Sequence, residues 1–327
     1  MSDILYDAVP SVDLADFRAG GEQKAKFVHE LGKAWENIGF VAVKNHGLAD
    51  ADRDKLYQSV QDFFNLDEDT KLKYENLALA GQRGYISKGR ETAKGFKTPD
   101  LKEFYHVGQI FEEKDKATDS ALEEYPDNIF PQEMPEFAKY TTHTYQTLED
   151  SGKELLQAAA LYLGLEEHYF DNKIHNGNSI LRAIHYFPIP NPEELAPDAV
   201  RAAAHGDINL ITLLMGASAD GLQVLRRDDK WIPITALPEL VVVNVGDMLS
   251  RLTNNKLKST IHRVVNPAID KMNTSRYSIP FFMHPRSEMD LSCLENCVDL
   301  DNPKQFEDIR AGEFLNERLI ELGLKKA

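Results

Sequence analysis

His205 and Asp207 stand one residue apart in the stretch AAAHGDINLITLL, residues 202–214, immediately ahead of an apolar, β-rich run. An imidazole nitrogen and a carboxylate oxygen are both ligands for divalent first-row metals. Residues i and i+2 of a strand point to the same face, so both side chains can reach one ion from the rim of a sheet. The pair alone decides little. Ten histidines among 53 acidic residues produce such spacings by chance, and an aspartate capping a turn reads the same way.

A second histidine raises the signal. His262, in STIHRVV, alternates with Thr260 and Val264 on one face of a β-run. By itself it reads as a buried, hydrogen-bonded core residue. With His205 and Asp207 it completes a set of two histidines and one carboxylate. Such a set covers one face of an octahedral ion and leaves three positions open, the geometry expected of non-haem Fe(II) oxygenases. Structural zinc calls for four closed ligands, usually with thiolates. The two cysteines, Cys293 and Cys297, are too few for a disulfide framework and read as reduced thiols. Fourteen residues after His262 come Arg276 and Ser278, again at i, i+2. A guanidinium beside a hydroxyl is suited to grip a carboxylate in two-pronged fashion. The run LRAIHYFP offers Tyr186 as a further hydroxyl.

The periodicity predicts where these groups sit. Residues 21–38 read as a helix, with Phe27, Leu31, Ala34, Trp35 and Ile38 in one apolar stripe. VPSVDL and GFVAVKNHG read as strands, His46-Gly47 as a turn. A second helix buries Leu56, Val60, Phe63 and Phe64, and a long helical region spans about 132–164. Residues 80–100, rich in Gly and Lys, read as loop or hairpin. From about 180, seven short β-rich runs broken by turn residues predict an antiparallel sandwich or barrel. AGEFLNERLIELGL closes the chain as an amphipathic helix. Helices first, then a β-core, then a helical tail is an α+β texture and argues against alternating βαβ units.

Composition narrows the partners. With 327 residues, 42% apolar and 28% charged, the chain suits a soluble globular protein. A net charge of -16 repels phosphate backbones and anionic lipids, so neither nucleic acid nor membrane is an expected partner. No window approaches a membrane span, the N-terminus lacks a signal-peptide pattern, and the expected location is cytoplasmic. The oligomeric state is not legible.

Taken together, His205-x-Asp207, His262 and Arg276-x-Ser278 resemble the isopenicillin N synthase-like branch of the 2-oxoglutarate/Fe(II)-dependent dioxygenases. The likeness covers nearly the whole chain. VPSVDLADF, ENIGFVAVKNHGL, GQRGYI, DLKEFYHVG, GLQVL…WIPI, VVVNVGDML, LTNNKLKSTIHRVVNP and SRYSIPFF fall in the family's order. The resemblance implies one catalytic domain, a distorted double-stranded β-helix (jelly roll). Residues 1–175 would form its mostly helical flank, 178–290 its core and 300–327 its tail. It implies Fe(II) held by His205, Asp207 and His262, and 2-oxoglutarate held by Arg276, Ser278 and Tyr186. It also implies O2 as oxidant, ascorbate as a stimulant, and oxidation of a small molecule, by default hydroxylation, with release of succinate and CO2. In relatives the tyrosine commonly precedes proline directly, whereas here Phe187 intervenes. The pair LR at 181–182 anchors the register that favours Tyr186. The rival within the fold is an Fe(II) oxidase that takes no 2-oxoglutarate, of the isopenicillin N synthase or aminocyclopropane-carboxylate oxidase type. Substrate-lining candidates are Arg83, Tyr85, Lys88 and Arg90 in the 80–100 segment, with Leu225 and Phe282.

Overall fold

The computed structural model describes residues 5–79, 81–90, 101–111, 121–189, 191, 201–215, 221–234, 237, 239–266, 269 and 272–321. Two sheets face each other. The larger contains β1 (Ser11–Asp13), β2 (Phe40–Lys44), β3 (Gly84–Ile86), β4 (Lys102–Gly108), β5 (Ile180–Tyr186), β7 (Ile211–Met215), β10 (Val241–Val245) and β13 (Pro280–Met283). They run in the order β1-β2-β10-β7-β13-β5-β4-β3, and β12 (Arg276–Ser278) also pairs with β5. The smaller sheet has the order β6-β11-β8-β9, made of β6 (Ala202–His205), β11 (His262–Val264), β8 (Leu222–Leu225) and β9 (Trp231–Pro233). The architecture is the expected jelly roll within an α+β fold.

Strand alternation divides the larger sheet into two faces. Leu181 and Ala183 of β5, Leu213 of β7, Val241 and Val243 of β10, Tyr277 of β12 and Phe281 of β13 join one apolar cluster. That cluster reaches α2 (Gly21–Asn37), α3 (Asp50–Phe64) and α5 (Pro135–Tyr162), reckoned with α1 (Leu14–Ala19) and α4 (Glu68–Leu72). Phe27, Leu31 and Trp35 are the buried stripe of α2, as the 3.6-residue period predicts. The alternate residues, Ile184, Tyr186 and Val242, join a second cluster with Leu222, Val224 and Val264 of the small sheet. The space between the sheets is therefore lined by even-numbered positions of β5, β7, β10, β12 and β13.

Two features differ from the sequence reading. Beyond β1 and β2, which the sequence reading expects as strands, and β3 in the expected loop or hairpin, residues 102–108 add β4 to the large sheet with all seven residues buried. KEFYHVG carries polar residues on both faces, so no simple alternation announces a strand there. The run LVVVNVGDML splits: β10 ends at Val245, and α7 (Asp247–Leu252) begins two residues later, α6 (Asp171–Ile174) being the short helix before β5. Within the 80–100 segment, β3 forms a hairpin arm against β4, while residues 80 and 91–100 lie outside the described residues. The C-terminal helix, α8, is described over Ala311–Glu321. No described helix is long and apolar enough to cross a membrane.

Candidate metal centre and substrate pocket

His205 ends β6 and His262 opens β11, and the two are direct partners in the antiparallel ladder. Their rings lie 4.4 Å apart, centroid to centroid. Asp207 follows on the loop after β6. Its Oδ1 lies 3.9 Å from His205 Nε2 and 3.7 Å from His262 Nε2. One ligand atom from each of the three falls within 4.8 Å of the others.

Neighbouring groups aim the donors. His205 Nδ1–H donates to the Ala203 carbonyl at 2.7 Å, and His262 Nδ1–H to the Thr260 carbonyl at 3.2 Å. Those bonds leave each Nε2 with its lone pair toward the common point. Asp207 Oδ2 accepts from Thr212 Oγ1 at 2.6 Å and from Asn244 Nδ2 at 2.8 Å, so Oδ1 remains for an ion. The loop itself is pinned by α7: Asp247 N–H donates to the Asp207 carbonyl at 2.7 Å, and Met248 N–H to that of Ile208 at 3.1 Å. Gly246 is required there, since a Cβ would lie 2.1 Å from the Asn209 carbonyl oxygen.

Burial, with His262 nearby, lowers the His205 pKa to about 4, although 44% of its side chain is open to the pocket. Burial works to raise the Asp207 pKa, but His262, His205 and the Asn244 and Thr212 hydrogen bonds outweigh it and hold the carboxyl below its usual value. At neutral pH the cluster thus offers a neutral imidazole and a carboxylate without losing protons first. Two nitrogens and one anionic oxygen on one side of a cavity fit Fe(II) with open positions.

Arg276, 1% exposed, stands across the ladder from Tyr186, and Ser278 from Ile184. The Arg276 Cζ lies 5.0 Å from the Tyr186 ring centroid. Arg276, Ser278 and Tyr186 line the same pocket as His205, Asp207 and His262, a space of about 620 Å³ that opens to solvent. Phe187 sits outside the lining and packs its ring on His185.

Of the residues proposed to meet a substrate, Phe282 lines the pocket. Arg83, Tyr85, Lys88, Arg90 and Leu225 do not. Tyr85 pairs with Tyr105 and belongs to the helix-side cluster, its hydroxyl on Glu103. Arg83, two residues earlier, is 1% exposed and lies flat against Gly108. Lys88 lies over Phe187, and Arg90 reaches Glu75 at 3.5 Å. Leu225 is an odd position of β8, whereas Leu222, on the other face, reaches the pocket. His46 sits in a turn between Asn45 (φ 54°) and Gly47 (φ 90°) and plays no part in the cluster: its carbonyl accepts from Ser151. Arg182 and Lys102 line the pocket and were missed. The signal was present for Arg182, which shares the i, i+2, i+4 face with Ile184 and Tyr186.

An open His-Asp-His face inside a jelly roll, with a buried arginine at its side, defines a non-haem iron oxygenase class of site. The chain belongs to the 2-oxoglutarate/Fe(II) oxygenase family. Residues 9–133 match the family described as non-haem dioxygenase in morphine synthesis N-terminal, and residues 177–285 match the 2OG-Fe(II) oxygenase superfamily. The 2-oxoglutarate-Fe(II) type oxidoreductase hxnY of Emericella nidulans is 30% identical over 92% of this chain and 86% of its own length. A 2OG-Fe(II) oxygenase family protein of Caulobacter crescentus is similar in structure, with 42% identity and a TM-score of 0.85 over 96% of this chain and 99% of that one. A full-length Neurospora crassa protein in complex with alpha-KG and thymine gives 28% identity and a TM-score of 0.82, over 95% of this chain and 96% of its own. The chain is an Fe(II)- and 2-oxoglutarate-dependent dioxygenase that uses O2.

Proposed function

We propose that this enzyme hydroxylates a C–H bond of a small organic molecule, with release of succinate and CO2. The convergence of His205 Nε2, Asp207 Oδ1 and His262 Nε2 on one point carries the reading. His205, Asp207 and His262 would hold Fe(II). Arg276 and Ser278 would receive the distal carboxylate of 2-oxoglutarate, with the Tyr186 hydroxyl beside them. Bound iron and 2-oxoglutarate supply the oxidising chemistry, the cosubstrate being decarboxylated to succinate.

The chain's own residues do the rest. The fixed Nδ1 bonds hold the imidazoles in one tautomer. Thr212 and Asn244 hold the carboxylate so that one oxygen faces the ion. Arg276, buried and on a rigid strand, fixes the angle at which a diacid enters. Phe282, Leu214 and Ile184 make apolar walls that limit water around the reacting atoms. A cytoplasmic setting suits the two free thiols, Cys293 and Cys297. The net charge of -16 speaks against nucleic-acid and membrane partners. The test is succinate formation from 2-oxoglutarate with Fe(II), O2 and ascorbate. Turnover that requires all of the first three is expected, and iron-independent or absent turnover overturns the reading.

A further inference from the structure

Arg201 stands directly before β6, on the same short stretch of chain as the metal ligand His205, and is 1% exposed. Its Nη2 donates to the Thr274 carbonyl at 2.8 Å, on the approach to Arg276, and its backbone N–H donates to Asn266 Oδ1 at 3.1 Å. Nε and Nη1 are buried without a hydrogen-bond partner. Among the described residues no carboxylate pairs with this guanidinium. An arginine is almost never fully buried unless it is paired, because an uncompensated buried charge is costly.

The charges around Arg201 are of its own sign. Burial first, and then the Arg276 charge, lower its pKa, whereas Tyr186 acts in the opposite sense. Arg276, itself 1% exposed, is the ladder partner of Tyr186 on β12, and Lys102 is the partner of Tyr186 on β4. Basic residues from three separate parts of the chain thus gather about Tyr186. Asp207 is the single carboxylate among the described residues of the pocket lining, and it faces the metal position instead. A fold that holds cations together at this buried end, with no acid of its own beside Arg201, is arranged for a ligand that brings the anion.

We infer that Arg201 is a positioning residue of the cosubstrate end: it braces the approach to β12 and supplies, beside Arg276, a second buried positive charge that makes the pocket select a ligand with an anionic far end. This rests on the 2-oxoglutarate reading of Arg276 above. The Nη2 bond to the Thr274 carbonyl ties guanidinium and strand together, so the charge stays in place with or without a ligand. A fixed charge in a water-poor site acts across several ångströms with little screening. It favours a ligand that ends in a carboxylate and does nothing for one that ends in a methyl group.

The probes are 2-oxoglutarate and 2-oxopentanoate, which present the same keto-acid end to Fe(II) and differ at the far end, a carboxylate in one and a methyl in the other. Their affinities are measured by calorimetry on Fe(II)-loaded protein without O2. Arg201→Met is expected to lower the diacid-to-monoacid affinity ratio by on the order of 10-fold, chiefly through 2-oxoglutarate. Arg201→Lys, which keeps the charge, should hold the ratio within about threefold of the wild type. Thermal unfolding of the metal-free proteins is the second readout. Removing a costly buried charge at the loss of one hydrogen bond should leave the Arg201→Met midpoint no lower than that of the wild type. An unchanged ratio in Arg201→Met, an equal loss for both acids, or a ratio lost as fully in Arg201→Lys overturns the assignment. A lowered midpoint in Arg201→Met also overturns it, by making the residue a structural tie. A wild-type protein that does not prefer 2-oxoglutarate contradicts the cosubstrate reading itself, and this inference falls with it.

Discussion

His262 and His205 face each other directly across the β6–β11 ladder, their rings 4.4 Å apart. Adjacent antiparallel strands bring opposed side chains to about 4.5–5.5 Å at Cβ. The ladder therefore sets the distance between two ligands that are 57 positions apart in the chain, and only Asp207 depends on a loop. That loop is tied to α7 through the Asp207 and Ile208 carbonyls.

The Asn244–Asp207 hydrogen bond gives the first expectation. Asn244→Ala removes a donor 2.8 Å from Oδ2 and leaves Thr212 alone to aim the carboxylate. Partners of this kind are worth about 10–100-fold in metal affinity. Anaerobic Fe(II) titration should show a loss in that range while the folded content at neutral pH persists. An unchanged affinity would mean that Asp207 is oriented by the loop alone.

Arg276→Leu tests the cosubstrate end. The half-saturating 2-oxoglutarate concentration should rise by on the order of 100-fold, because a charge-assisted two-pronged contact contributes about 2–3 kcal/mol. The rate at saturating cosubstrate should change less. If the half-saturating concentration stays where it is, Arg276 does not hold the diacid.

His284 supplies a pH dependence outside the metal cluster. Burial holds its pKa at about 4, against 6.5 when exposed. The unfolded chain then takes up a proton as pH falls through 6.5, and the folded chain does not until about pH 4. Stability from this residue is complete above pH 6.5 and declines as pH falls toward 4, by up to about 3 kcal/mol. Urea unfolding of metal-free protein at pH 7 and pH 4.5 should show a smaller pH-dependent loss for His284→Asn than for the wild type. Equal losses in the two proteins would contradict the assignment.

Much of the site was legible because its parts follow from strand period. His205, His262, Arg276 and Ser278 sit on strands whose alternation is written in the apolar pattern, and the same alternation puts Tyr186 rather than Phe187 in the lining. Arg182 obeys that rule too, although the sequence reading uses it only to mark register. The cations of residues 83–90 misled for the converse reason. Their chemistry suits an acidic ligand, but where they project depends on how the adjoining β3 pairs with β4, a strand whose polar sequence hides its burial. Long-range pairing of that kind leaves no local trace.

Iron content measures the central claim most directly. Anaerobic dialysis against Fe(II) should leave the wild-type chain with one iron, and His262→Ala and Asp207→Ala with little, since two ligands hold a ferrous ion loosely. Full iron retention by either variant that still folds would contradict a shared site at these three side chains.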